Sequence, residues 1–104
     1  MNKKCSLIIP LYNEFANLER LIKNAELFLS DKNNELVLVD NGSKDKTLSL
    51  IQNYSKRYKN ITIVKIEKNL GFGNGVYCGL IKAKNNILAY THGDIQTDIN
   101  DILI

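Results

Sequence analysis

At 104 residues, with 14 Lys and Arg against 11 Asp and Glu for a formal net charge of +3, the chain makes one domain or part of one. Its 44% hydrophobic and 24% charged residues are an ordinary globular balance. The basic residues are spread out, Trp is absent and the Tyr residues do not interleave with a basic stripe, so no nucleic acid partner is expected.

The opening "MNKKCSLIIPLYNE" sets two lysines before an apolar run, but Pro10 and Asn13 end that run too soon for a signal peptide. No run approaches the roughly 18 apolar residues of a membrane span. "CSLIIP" (5–10) reads as a short buried strand closed by proline. From Asn13 the period lengthens, and Phe15, Leu18, Ile22, Ala25 and Leu29 form one helical stripe that Leu21 and Phe28 widen. "SDKNN" breaks this helix, and "ELVLVD" (35–40) is a second strand, apolar on both faces. A second helix is predicted from about Ser43, with Leu48, Ile51, Tyr54 and Tyr58 facing inward. "ITIVKI" (61–66) is the third strand. A glycine-rich start then leads into a helix carrying Val76, Leu80 and Ala83 at helical spacing. "NILAYT" (86–91) is the fourth strand, and "TDINDILI" opens a further helix capped by Thr97 or Asp98. Cys5 and Cys78 stand far apart in no metal-binding pattern, which fits free thiols in a reducing, cytoplasmic setting.

Short apolar strands alternating with helices imply an α/β fold, a mostly parallel sheet with helices on both faces and right-handed crossovers. The sequence stops within an apolar pattern, with Ile99, Ile102 and Leu103 still needing burial. It is therefore expected to be a truncated part of a longer protein, whose exposed apolar edge, Ile104 included, favours a homo-oligomer.

In a parallel sheet every strand leaves toward one rim, and ligands bind along that rim. Four exits converge there: Pro10-Leu11-Tyr12-Asn13-Glu14, Asp40-Asn41-Gly42-Ser43, the stretch from Asn69 to Gly75, and His92-Gly93-Asp94. Each has a structural explanation beside the functional one. Pro10 ends a strand, Asn13 caps a helix with Glu14 favouring its dipole, and Ser43 or Asp45 caps the next. Asp40 either forms a turn or accepts from a nucleobase N–H or a ribose hydroxyl. Gly71, Gly73 and Gly75 do not fit G-x-G-x-x-G, because Val76 stands where its last glycine would fall. They nonetheless bare the backbone at a helix start, which suits a diphosphate. Asp94 offers the hard oxygen that Mg2+ or Mn2+ prefers, with His92 as a weaker second ligand or a donor to phosphate.

"PLYNE", "LVLVDNGSKDKT", "NLGFGNGVYCGL" and "THGDIQTD" together resemble, in order and spacing, the family 2 glycosyltransferases. The resemblance spans nearly the whole chain. It implies the Rossmann-like GT-A fold, with residues 1–104 as the donor-binding part and the acceptor half absent. Carried over by position, Pro10, Tyr12 and Glu14 fall on the nucleotide side. Asp40 matches the base- or ribose-contacting acid, Asn41 stands where a second Asp is frequent, and Ser43 matches its turn-closing partner. Asn69, Gly71 and Gly75 resemble the loop against nucleoside and diphosphate. Asp94 matches the final acid of the D-x-D metal motif, which here reads His92-Gly93-Asp94.

The resemblance implies binding of a UDP- or GDP-linked sugar with Mg2+ or Mn2+. The sugar would pass with inversion to a lipid-phosphate or glycan acceptor, on a general base outside residues 1–104. A cytoplasmic site with peripheral attachment at the inner membrane face suits lipid acceptors. A truncated chain that only binds the nucleotide-sugar, or associates with another subunit, is the alternative reading. A sugar nucleotidyltransferase fits less well: such enzymes carry a glycine-rich loop with Arg and Lys after the first strand, where this chain has "LYNEFANLE".

Overall fold

The computed structural model describes residues 5–85 and the strand at 87–90. The elements run β1 (Cys5–Leu11), a 3-10 turn (Phe15–Asn17), α1 (Leu18–Asn24), α2 (Glu26–Ser30), β2 (Glu35–Asn41), α3 (Thr47–Arg57), β3 (Ile61–Ile66), α4 (Phe72–Lys82) and β4 (Ile87–Tyr90). The strands pair in the order β3-β2-β1-β4, and every pairing is parallel. Strand succession therefore reverses beside β1, which places the switch point of this α/β sheet between β1 and β4.

Alternation along the central strands decides the two layers. Leu7, Ile9 and Leu11 of β1, with Leu36 and Leu38 of β2, face a core closed by Leu18, Leu21, Phe28, Leu29 and Ile51 from α1, α2 and α3. Ile8, Val37 and Val39 point the other way and meet Leu80 and Ala83 at the α4 layer. Both faces of β1 and β2 are thus buried, which explains why their sequences are continuously apolar.

Two expectations change in detail. The single helix predicted from Asn13 is a 3-10 turn followed by α1 and α2, with a break at Ala25, whose N–H is shared between the carbonyls of Leu21 and Ile22 at 3.0 Å each. Because Asn13 adopts φ +52°, helical phase is set only from Leu18, and Phe15 is 43% exposed rather than inward. The second helix starts at Thr47, not near Ser43. There the Asp45 carboxylate accepts the Thr47 N–H at 2.9 Å, so Asp45 and not Ser43 orders that entry. The helix expected after Gly93, with His92, Asp94, Ile99, Ile102, Leu103 and Ile104, lies outside the described residues.

Candidate functional site

The carboxyl rim is built by three loops that hold one another. Asn13 sits in the left-handed region, which asparagine tolerates better than most residues. Its Oδ1 accepts the N–H of Lys44 at 2.8 Å and of Asp45 at 3.3 Å, while its own N–H donates to Ser43 Oγ at 3.0 Å. The Glu14 N–H donates to Thr47 Oγ1 at 3.0 Å, and the Phe15 N–H to Asp45 Oδ2 at 3.4 Å. The Thr47 hydroxyl in turn makes a short hydrogen bond to Asp45 Oδ1. Burial of Asp45 would raise its carboxyl, but the donors from Thr47 and Phe15 prevail and hold it below the usual carboxylate range. The exits of β1 and β2 are therefore one stapled unit. Asn13 belongs to that unit and does not cap the first helix, whose entry has no side-chain cap.

Asp40, the penultimate residue of β2, is 2% exposed, and its Oδ1 accepts the Ser43 N–H at 3.1 Å. One carboxylate oxygen thus closes the turn, and the second makes no hydrogen bond to any described residue. Gly42 follows at φ +76°. A Cβ there would stand 2.6 Å from the backbone nitrogen of Asn69, so this glycine lets the exits of β2 and β3 touch.

The third loop is fixed by asparagines. Asn69 Oδ1 accepts the Gly71 N–H at 2.8 Å, and Asn41 Nδ2 donates to the Gly71 carbonyl at 3.1 Å. Asn41 is buried, yet its Oδ1 has no hydrogen-bond partner among the described residues, an orphaned acceptor of the kind found where a ligand completes a site. The α4 helix starts directly after Gly71, which adopts φ +103°. A Cβ on Gly75 would stand 2.9 Å from Pro10 Cβ and 3.1 Å from Asn41 Nδ2. Gly75 and Pro10 therefore pack the start of α4 onto the sheet, whereas Gly71 and Gly73 have open space around them.

The structure accordingly brings together Pro10, Asp40, Asn41, Ser43, Asn69, Gly71 and Gly75, with Tyr12 exposed and Glu14 half-buried at the edge of the same loops. His92 and Asp94 are outside the described residues. Among the described residues no three His, Cys, Asp or Glu side chains gather around a cation position. Asn13, Asp45 and Thr47 are the members that sequence reading missed as site builders. Their signal was a polar residue at each turn of two loops adjacent only in a parallel sheet.

The comparisons with known proteins agree with this geometry. The chain is 30% identical over 103 residues to the dolichyl-phosphate beta-glucosyltransferase ALG5A of Trichomonas vaginalis, covering 92% of this chain and 32% of that protein. It is 33% identical over 93 residues to a dolichol-phosphate mannosyltransferase of Pyrococcus furiosus, covering 89% and 26%. The chain thus spans about a third or less of these relatives. The fold matches the Pyrobaculum calidifontis mannosyltransferase PcManGT, solved with GDP-Man and Mn2+, at a TM-score of 0.82, 24% identity and coverage of 99% and 31%. It matches S. aureus TarS 1-349 in complex with UDP-GlcNAc at a TM-score of 0.76 and 27% identity, covering 88% and 26%. The architecture is that of the GT-A glycosyltransferases. The family profile described as Glycosyl transferase family 2 matches residues 6–103. A parallel sheet whose stapled exits carry that family's motifs, matched over nearly its whole length, belongs to glycosyl transferase family 2.

Proposed function

We propose that this chain is the donor-binding part of an inverting glycosyltransferase that takes a nucleoside-diphosphate sugar and passes the sugar to a lipid phosphate. The observation that carries the reading is the stapled carboxyl rim: one Asp40 oxygen closes the turn, the other has no hydrogen-bond partner among the described residues, and Asn41 beside it keeps an acceptor that is likewise unpartnered among them. Those oxygens would accept from the nucleoside, while the glycine start of α4 would lie against the diphosphate, where the helix dipole favours negative charge. Membership of the family and the relatives named for dolichyl phosphate and dolichol phosphate support this choice of substrates.

During transfer an acceptor oxygen attacks the anomeric carbon while the bond to the diphosphate breaks and the nucleoside diphosphate leaves with the electron pair. A divalent cation, when bound, supplies positive charge to that leaving group. Asp94 would be its carboxylate ligand, with His92 secondary.

Asp40→Asn is expected to weaken binding of UDP or GDP by about 1 to 3 kcal/mol, the scale of a hydrogen bond to a charged group. Titration calorimetry on the folded chain decides it, and equal affinities would remove Asp40 from the nucleotide site. In the same titrations Asp94→Ala should abolish any gain in affinity brought by Mn2+ or Mg2+, with His92→Ala having the smaller effect. Persistence of the metal-dependent gain would place the cation on other residues.

A further inference from the structure

The opposite, amino-terminal rim of the sheet holds a cavity of about 530 Å3 that takes no part in the site described above. It opens where β2 and β3 begin and where the chain passes from α4 toward β4. Its frame is tied by amides. Asn34 accepts the Cys5 N–H at 3.3 Å and donates to the Phe28 carbonyl at 3.0 Å. Asn60 donates to the carbonyls of Leu29 at 3.0 Å and Asn34 at 3.1 Å, and Asn85 to that of Asn33 at 3.0 Å. Three loops distant in sequence, and the start of β1, are thereby tied together.

The charges on this wall do not cancel. Lys32, Arg57, Lys59 and Lys84 line it, and Glu35 is its one acidic residue among the described residues. The Glu35 oxygens face inward: Oε1 accepts from Ser6 Oγ at 2.7 Å and from the Lys84 N–H at 2.8 Å, and Oε2 from Thr62 Oγ1 at 2.5 Å. The positive charge of Lys84 also helps hold Glu35 ionised, so part of that lysine's field is already used. Lys32, Arg57 and Lys59 have no such partner, because among the described residues the one ion pair within 4 Å joins Lys65 and Glu67. Arg57 is steadied by rings instead, its guanidinium carbon 5.8 Å from the Tyr54 centroid and 5.9 Å from that of Tyr58. Four exposed basic residues thus border one preformed concavity, and a multivalent anion placed in it would be attracted by all of them.

We propose that the amino-rim cavity is a second binding site, for a small phosphate-bearing anion, with Arg57, Lys59, Lys84 and Lys32 supplying the charge and the amide-tied loops the shape. Arg57 provides the planar donor fork that suits phosphate, and the lysines act as point charges around it. This site uses no residue of the carboxyl rim and does not depend on the function proposed for it.

The test is a low-salt NMR titration of the 15N-labelled chain with inorganic pyrophosphate, which can be followed separately at the two rims. Saturable shifts are expected in the side-chain amides of Asn34, Asn60 and Asn85 and in Arg57 Nε. In Arg57→Gln/Lys84→Gln the affinity reported by those amides should fall by about 10-fold or more, the scale of losing charge-assisted hydrogen bonds. Signals of Gly42 and Gly71 at the other rim should titrate as in the wild type. Lys84→Gln keeps its backbone donor to Glu35, and Lys59→Gln, at an exposed position, serves if the double variant fails to fold. Unchanged affinity in a folded variant would overturn the proposal, as would shifts that never saturate or that spread equally over every lysine and arginine.

Discussion

Replacing Glu35 by alanine is expected to destabilise the fold by about 1 to 3 kcal/mol, although the residue lies far from the proposed sugar-nucleotide site. Glu35 opens β2 at 5% exposure, and three donors from three parts of the chain converge on it. Alanine would leave the buried Ser6 hydroxyl without its acceptor, at about 1 to 3 kcal/mol, while the Thr62 hydroxyl and the Lys84 N–H, on the cavity wall, would turn to water. Glu35→Gln should lose less, since it keeps the volume and one acceptor oxygen. The carboxyl also predicts the acid response. Burial acts to raise it, but the hydrogen bonds from Thr62, Lys84 and Ser6 and the charge of Lys84 outweigh burial and hold it below the ordinary range. The unfolded chain therefore takes up this proton at a higher pH than the folded one. The stabilisation is fully present above the unfolded carboxyl pKa and is lost as pH falls through the folded value. Urea unfolding as a function of pH checks both statements, and Glu35→Gln should flatten the curve across that acidic window.

Gly79→Leu is expected to cost about 3 kcal/mol and to weaken binding at the proposed nucleotide site without touching a site residue. Gly79 lies in α4 over the middle of the sheet, where a Cβ would stand 2.5 Å from Ile8 Cγ2 and 3.0 Å from Val39 Cγ2. Both neighbours belong to a buried cluster with little room to yield, so a leucine overpacks it by more than its better helix propensity returns. Lifting α4 would also pull its first turn from Pro10 and Asn41 and displace the Gly71 carbonyl from its 3.1 Å hydrogen bond. Thermal unfolding measures the first effect, and calorimetry with UDP or GDP the second. Gly79→Ala adds only the Cβ and should fall between wild type and leucine in both.

The parts legible in advance were those carried by local pattern. "ELVLVD" and "ITIVKI" read directly as buried strands because burial on both faces demands unbroken apolar runs, and the observed strands Glu35–Asn41 and Ile61–Ile66 follow them closely. Ile51 and Val76 fell on inward helical positions for the same reason. Phe15 misled, because apolar spacing extends back through it while the left-handed Asn13 delays the start of helical phase. The glycine pattern casts Gly75 as backbone bared for a diphosphate, and its close approach to Pro10 and Asn41 gives it a packing role that no local pattern contains.

By itself the sequence determined the alternation of strands and helices, the parallel sheet that alternation requires, and the rim on which the family motifs gather, all of which follow from periodicity and chain direction. Only the tertiary structure decided what each polar residue at that rim does. Asn13 reaches Lys44 and Asp45, Gly42 abuts Asn69, and Asn41 ties Gly71 across thirty positions of chain. It also set Lys32, Arg57, Lys59 and Lys84 around one cavity at the far rim. A hydrogen bond or a shared field depends on distances across loops that only the β3-β2-β1-β4 order makes neighbours, and no spacing along the chain encodes them.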